Sequence, residues 1–365
     1  MKIVFALLVF IHGAIHLMGF AKAFGYGNME QLTMHISKPL GLLWFLAFVL
    51  FMLSGTAMLC KAEWWYIPAL LAVVLSTVLV IMVWKDAKFA TIANVIILAG
   101  IIFSYATISY KARYLSEVKT LLSQEVQSSQ QVLTESDLSE LPVPVQKYIR
   151  YTGFIGKPVV RNFRVVFEGK IRKNEQSPWM PLTSEQYNFM NSAVRLFFLN
   201  ATMKGLPVAG FHSFRNGEAY MDIRLLSLIK VQYEKGREMG ISETVTFFND
   251  ICCLAPGALT DKRIKWLETD SLKVKAEFTN NNITVSAWLY FNEKGELIKF
   301  VSGNRYAYDE KLGMKQLPWS TPLGDYRMID GYRLATRAET IYNYPDGPSC
   351  YGNFNLKHVT YNTSR

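Results

Sequence analysis

The stretch LGLLWFLAFVLFMLSGTAMLC, from Leu40 to Cys60, runs for 21 residues without a charge. A helix rises 1.5 Å per residue and the hydrocarbon core of a bilayer is about 30 Å thick, so this run is long enough to cross one. Three more uncharged runs lie around it, Ile3 to Phe20, Trp64 to Trp84 and Phe89 to Tyr110, each of 18 to 22 residues. The connections Lys61 to Glu63 and Lys85 to Lys88 are too short for anything but antiparallel neighbours. The first 110 residues therefore read as a four-helix transmembrane bundle. Lys2 and Ala21-Lys22-Ala23 give the first run a resemblance to a signal peptide, but it is longer than the about 7 to 15 apolar residues of a signal and three spans follow it. Flanking positive charge gives no orientation, because Lys2, Lys61, Lys111 and Arg113 face Lys22, Lys38, Lys85 and Lys88.

The chain has 365 residues, 39 basic and 29 acidic. Removing the six lysines and three acids of the first 110 residues leaves a surplus of +7 on the polar part, dispersed without a Lys/Arg run. Nucleic-acid binding is thereby disfavoured, and attraction to anionic lipid head groups is the milder expectation. The four cysteines, Cys60, Cys252, Cys253 and Cys350, form no zinc spacing. A disulfide from one of the adjacent pair to Cys350 is one reading; buried free thiols acting as small apolar side chains is the other.

His12 and His16 lie four apart in the first span, on one helical face, with Gly13 and Gly19 allowing a neighbour to approach. Ionisable groups inside a membrane are costly, so the pair is a candidate haem or metal site, or a structural or proton-handling pair. No other histidine or carboxylate lies within a span to complete a ligand set.

Beyond the bundle, Leu115, Val118, Leu122 and Val126 keep helical spacing, so the fourth span is expected to continue as an amphipathic helix, with a hinge from Gln127 to Ser139; together these fill residues 111–140. Residues 141–365 then form the polar domain. Pro144 and Gly153 bracket a short helix from Val145 to Tyr151. After Pro158 the text is one of short alternating runs: Val159–Arg172, Gln186–Asn191, Val194–Lys204, Glu218–Leu226, Ser227–Glu234, Leu272–Thr279, Thr284–Phe291, Leu297–Tyr308, Arg327–Asn343 and Tyr351–Tyr361. Asn280-Asn281-Asn282 and Asn292-Glu293-Lys294-Gly295 are hairpin signals. One helix interrupts, Ser242 to Leu259, with Ser242 as its cap and Pro256-Gly257 as its stop. Successive hairpins with one or two helices predict an α+β membrane protein: the bundle plus a large curved antiparallel β domain.

Aromatic residues are dense in the domain. Most fill a core, and a minority on a concave apolar face would make a ligand site, for which Trp179, Phe211, Phe214, Trp288, Tyr290, Trp319 and Tyr326 are the candidates. GxSxG, HExxH, P-loop, GxGxxG and EF-hand patterns are all missing. His212, with Arg215, Glu218 and Asp222, is the one polar cluster worth testing for catalysis; the second histidine, His358, is distant in sequence. Arg305, Asp325 and Arg327 are expected to pair across strands.

Leu141-Pro142-Val143-Pro144-Val145-Gln146-Lys147-Tyr148-Ile149-Arg150, Trp179-Met180-Pro181 with Gln186, Ala255-Pro256-Gly257-Ala258-Leu259 with Trp266, and Gly295, Arg305, Pro318-Trp319, Asp325-Tyr326 and Gly331, in this order, resemble the uncharacterised bacterial family DUF6544. The segments His16 to Phe24, Gln31-Leu32-Thr33 and Ile36 to Pro39 resemble the membrane block of some members. The resemblance implies a half-barrel like that of the LolA-type periplasmic lipoprotein carriers, an extracytoplasmic domain, and no known activity. Together these readings predict a bacterial inner-membrane protein whose bundle tethers a non-catalytic β domain that binds lipid or another hydrophobic small molecule, without a cofactor and with room for a membrane-protein partner. The alternatives are a membrane redox or metal protein using His12 and His16, and an envelope-lipid enzyme using the His212 cluster.

Overall fold

A computed structural model describes residues 2–125, 131–309 and 313–364. The chain forms two compact units, Met1–Tyr110 and Lys111–Arg365.

In the first unit, α1 (Lys2–Ile15) and α2 (Leu17–Phe24) make one span, followed by α3 (Lys38–Leu59), α4 (Tyr66–Met82), the single turn α5 (Trp84–Ala87) and α6 (Ala90–Gln124). Among the described residues four helices are long and apolar enough to cross a membrane. Their outward residues are as greasy as their inward ones: Val4, Ile11, Val74 and Ile92 are all exposed. Helices apolar on every side are buried, whether in a protein core or in a bilayer. Small residues set the inner contacts, as a Cβ at Gly19 would stand 2.2 Å from the Trp44 ring of α3.

In the second unit the last part of α6 lies on one face of the sheet through Tyr114, Val118 and Leu121. Leu115, one of the apolar positions expected to make that face, is exposed instead, because the broad Tyr114 ring, packed on Phe198 and Phe211, sets the helix rotation. Val126 and most of the expected hinge lie outside the described residues; the hinge's described end forms a capped turn, Glu135–Leu138. The short helix α7 (Val143–Thr152) stops at Gly153, which takes a left-handed φ of 78°.

Thirteen strands follow: β1 (Asn162–Ile171), β2 (Met180–Phe189), β3 (Val194–Met203), β4 (Leu206–Arg215), β5 (Glu218–Leu225), β6 (Ile229–Lys235), then after helix α8 (Arg237–Leu254) β7 (Ile264–Thr269), β8 (Lys273–Asn280), β9 (Ile283–Phe291), β10 (Leu297–Asp309), β11 (Gly313–Ile329), β12 (Tyr332–Tyr344) and β13 (Gly347–Tyr361). They form one antiparallel sheet in the order β6-β5-β4-β3-β2-β1-β13-β12-β11-β10-β9-β8-β7. Two hairpin meanders of six and seven strands are thus joined by the β1–β13 pair, and the sheet curls as a half-barrel around α8. Three strands depart from expectation. β4 and β7 carry no strand signal in the sequence, and the run from Arg327 divides at Asp330-Gly331, whose φ values of 48° and 88° make a tight hairpin turn between β11 and β12.

Helix α8 is the core. Phe247, Phe248, Ile251, Cys252 and Leu254 are buried on all sides of it, with Phe248 stacked on Phe278 and edge-on to Phe300. The helix begins at Gly236, well before the expected cap. Ser242 is interior, and its hydroxyl accepts the Tyr306 N–H at 2.9 Å. The last carbonyls of α8, left open by any helix end, accept the hydroxyls of Tyr148 and Tyr361. Cys252 and Cys253 are buried free thiols, as Cys350 is free, so the disulfide reading does not hold. The helix start packs backbone to backbone on the β4–β5 turn, where a Cβ at Gly240 would meet the Gly217 carbonyl oxygen at 2.3 Å. Gly240→Ala is therefore expected to destabilise the fold by about 1–3 kcal/mol despite its better helix propensity. A melting temperature that rises in this variant would show the contact to be loose.

Candidate functional site

Along α8, Glu243, Thr246 and Asp250 repeat at spacings of three and four and so share one helical stripe. Strands β2 and β3 present Gln186, Asn188 and Arg195 to it, because side chains alternate and these positions point inward with their register partners. Arg195 donates to Asp250 at 2.8 Å, to Glu243 at 3.0 Å and to Gln186 at 2.9 Å. Gln186 and Asn188 donate to the same Asp250 oxygen at 2.7 and 3.1 Å. From the other meander Arg305 donates to Tyr342 at 3.0 Å and to Thr246, stands 4.0 Å from Glu243, and lies over the Trp319 ring at 4.5 Å. The side chains of Arg195 and Glu243 are only 8% and 2% exposed, so both ions have exchanged water for each other.

The protonation of the cluster follows from this. Burial pushes the Glu243 carboxyl up, but the pull of Arg195, Arg305 and His212 outweighs it and holds the group below its usual range. For Asp250 burial wins over Arg195 and its carboxyl is raised. His212 on β4 faces the same space, and burial, with Arg195 and Arg305 adding to it against Glu243, lowers its imidazole to about 4. It is neutral at physiological pH.

Next to the ions, toward the other ends of the same strands, the inner face turns apolar: Leu182, Phe197, Leu199, Ala201 and Val208 form a cluster of their own, with Ile171, Met203, Ile223, Leu225 and Phe354 packed against it. Two polar atoms lie along the border. His212 Nε2 and Ser184 Oγ are both buried without a hydrogen-bond partner among the described residues, and the His212 ring stands edge-on to Phe197 at 5.5 Å. Unsatisfied buried polar atoms are rare in native proteins and call for a physical cause.

The positions singled out in the sequence fall differently. Arg215 and Glu218 face each other across the β4–β5 turn, both exposed, and Arg215 reaches out to Glu117. The odd-numbered side chains of β4 point away from His212, so the expected trio does not assemble. Asp222 pairs with its neighbour Arg224 at 2.7 Å. Arg327 and Asp325 pair within one strand, while Arg305 turns inward to the cluster. His358 is exposed, 3.9 Å from Asp330, in an open groove of about 500 Å³ lined also by Arg164, Tyr332 and Tyr361.

Of the seven aromatic candidates, Phe214 packs on Phe247 of α8, Trp319 lies under Arg305, and Tyr326 donates to the Leu297 carbonyl at 2.8 Å. Phe211 is on the outer face against Tyr114, and Trp288 lies outside between Lys273 and Lys275 with Tyr290 two residues on. Trp179 is held between Lys170 and Arg172. The seven therefore do not line one surface, and the inner ones are locked in the core.

In the bundle, His16 Nδ1 donates to the His12 carbonyl at 2.8 Å, which leaves the Nε2 of a neutral ring to accept from Ser76 at 2.9 Å. His12 Nε2 donates to Asn94 Oδ1 at 2.8 Å, and Asn94 donates to Thr77 at 3.2 Å. Three of the four ring nitrogens are engaged in a network tying three helices, and among the described residues no three His, Cys, Asp or Glu side chains converge as metal ligands.

Arg195, Glu243 and Asp250 are not among the positions that the sequence singles out. A usable signal is present in it: an arginine within the apolar run Val194 to Leu199, and two acids seven apart in a helix whose other faces are apolar.

An apolar helical bundle joined to an antiparallel half-barrel wound on one buried helix defines the class of this protein. The chain belongs to DUF6544, a family of unknown function whose model matches residues 131–354. No curated protein matches it. Among solved structures it is similar to a putative outer membrane lipoprotein-sorting protein domain from Vibrio parahaemolyticus, 12% identical over 56% of this chain and 86% of that one, TM-score 0.34. It is also similar to a LolA superfamily protein from Nitrosomonas europaea, 10% identical over 61% and 93%, TM-score 0.32, and to a DUF1329 family protein from Desulfovibrio piger, 10% identical over 64% and 95%, TM-score 0.34.

Proposed function

We propose that this protein is a multi-pass protein of the bacterial inner membrane, with its β domain outside the cytoplasm, and that the domain binds an amphiphile without transforming it. The observation that carries the reading is the border on the inner face, where two unpartnered polar atoms, His212 Nε2 and Ser184 Oγ, separate a charged cluster from an apolar one. A polar head would hydrogen-bond there beside Arg195 and Arg305, and an acyl chain would lie along Leu182, Leu199, Ala201 and Val208. Each buried CH₂ contributes about 0.8 kcal/mol, so a single chain supplies useful affinity. The half of the hollow around α8 is filled by its own rings, which confines the ligand to the other half. There the apolar residues are closed over in this structure, and loading parts Leu225, Met203 and Phe354 from them.

The full chain in detergent, exposed to a fatty acid carrying a photoreactive diazirine on its tail, is expected to cross-link within β2 to β4, and Ala201→Trp is expected to remove that adduct by filling its place. Adducts confined to residues 2–110 would refute the reading. The compartment is a separate question, answered by whether protease added outside sealed spheroplasts cuts the domain.

A further inference from the structure

The β3–β4 and β5–β6 hairpins end side by side, joined by the Leu226 N–H to the Pro207 carbonyl at 2.8 Å. Their tips carry Leu206, Leu228, Ile229 and Val231 as large exposed apolar side chains, 44%, 45%, 54% and 50% exposed. An apolar group of this kind in water marks a contact surface. The stretches Met203 to Val208 and Leu225 to Val231 contain two charged residues, Lys204 and Lys230, both exposed, and no acid. The turn itself is unusual. Leu226 and Ser227 hold φ of 56° and 57°, the left-handed region that the domain's comparable turns give to Lys204-Gly205, Asn216-Gly217 and Asn281-Asn282. A bulky leucine rarely takes that conformation, and here it sets an apolar side chain at the hairpin end where asparagine or glycine would be unstrained.

The tips are continuous with the apolar half of the inner face, since Met203 and Leu225 belong to both. Within the second unit the last part of α6 covers the other face of these strands, with Tyr114 on Phe198 and Phe211 and with Arg113 and Glu117 beside Tyr220.

We propose that the paired hairpin tips are a bilayer-contact surface, which places leucine, isoleucine and valine side chains among the acyl chains of an anionic leaflet and the two lysines among its phosphates. An apolar tip whose own two charged residues are both lysines matches an anionic lipid surface, which attracts basic side chains. That the same tips admit ligand to the inner face rests on the amphiphile reading; the contact itself does not.

The test uses the full chain, with Cys60→Ser and Cys350→Ser, in nanodiscs of phosphatidylcholine with or without phosphatidylglycerol. An environment-sensitive nitrobenzoxadiazole dye is placed at Leu228→Cys, or at Glu218→Cys at the opposite end of the same strands. The dye at position 228 is expected to shift to the blue and to be quenched by doxyl lipids several-fold more strongly than at 218, with deeper quenching when anionic lipid is present. Equal water exposure at both positions overturns the proposal, and so does shielding at 228 that requires a cell extract rather than lipid, which would mark a protein partner. A shielded tip in a chain that takes no diazirine adduct on β2 to β4 would keep the contact and remove the carrier reading.

Discussion

Arg195→Ala is expected to be the most damaging single substitution in the domain, lowering stability by about 3–5 kcal/mol, the range for breaking a buried ion pair from one side. The loss is not that of a bond alone. Glu243 and Asp250 would remain enclosed with their principal cation gone, while Arg305, at 4.0 Å, offers only partial compensation to Glu243. Combining Arg195→Met with Glu243→Gln and Asp250→Asn is expected to recover most of the loss, because an uncharged cluster of similar volume has no ions to solvate. Urea unfolding of the full chain in micelles, followed through the sheet signal, measures both. A cost below about 1 kcal/mol for the single variant, the figure for an exposed pair, would mean that water reaches the cluster.

Acid is expected to weaken the domain between pH 6.5 and about 4, and His212 to be responsible for most of it. In the unfolded chain its imidazole takes a proton near its ordinary value, whereas in the fold burial delays that proton to about pH 4. The unfolded state therefore binds more protons across this interval, and stability falls as pH falls, by up to about 3 kcal/mol for the one group at 1.36 kcal/mol per pH unit. Glu243, held below its usual range, contributes stability that is lost further down, as pH drops through its folded value. Asp250 has the opposite sign, because its raised carboxyl accepts a proton sooner in the fold than outside it. Comparing melting temperatures at pH 7 and pH 4.5 for the native chain and His212→Leu isolates the imidazole. Identical slopes in the two proteins would refute its burial as the cause.

The bundle is legible in the sequence because uncharged runs of membrane length, four in succession, rarely fit anything but lipid, and most strands are legible through alternation and turn residues. β4 is hidden because its sequence, Leu206 to Arg215, is buried on both faces, Ala209 and Phe211 outward and Val208 and Phe214 inward, so it lacks the two-residue period. The site is illegible on different grounds. Sequence proximity draws His212, Arg215 and Glu218 together, while the pleat separates neighbours and brings His212 near Glu243 and Arg305, residues that lie in α8 and in the second meander. Long-range pairing of this kind leaves only a weak local mark: a charge at a position that the surrounding pattern reserves for apolar side chains.

The joining of the first strand to the last, with Phe163 opposite Tyr361 and Val165 opposite Val359, bears on how the protein is made. A nascent chain has its first six strands only once Lys235 is made and the partner of β1 only at Gly347–Tyr361, so the β1 margin stays open until translation is nearly complete. Until then the margins of β1 and the later strands expose unpaired amides and carbonyls, the condition in which β proteins aggregate. Loss of the residues after Asn355 would leave Val165 and Phe163 without partners and strand the half-built domain in that state, with the apolar helices ahead of it already synthesised.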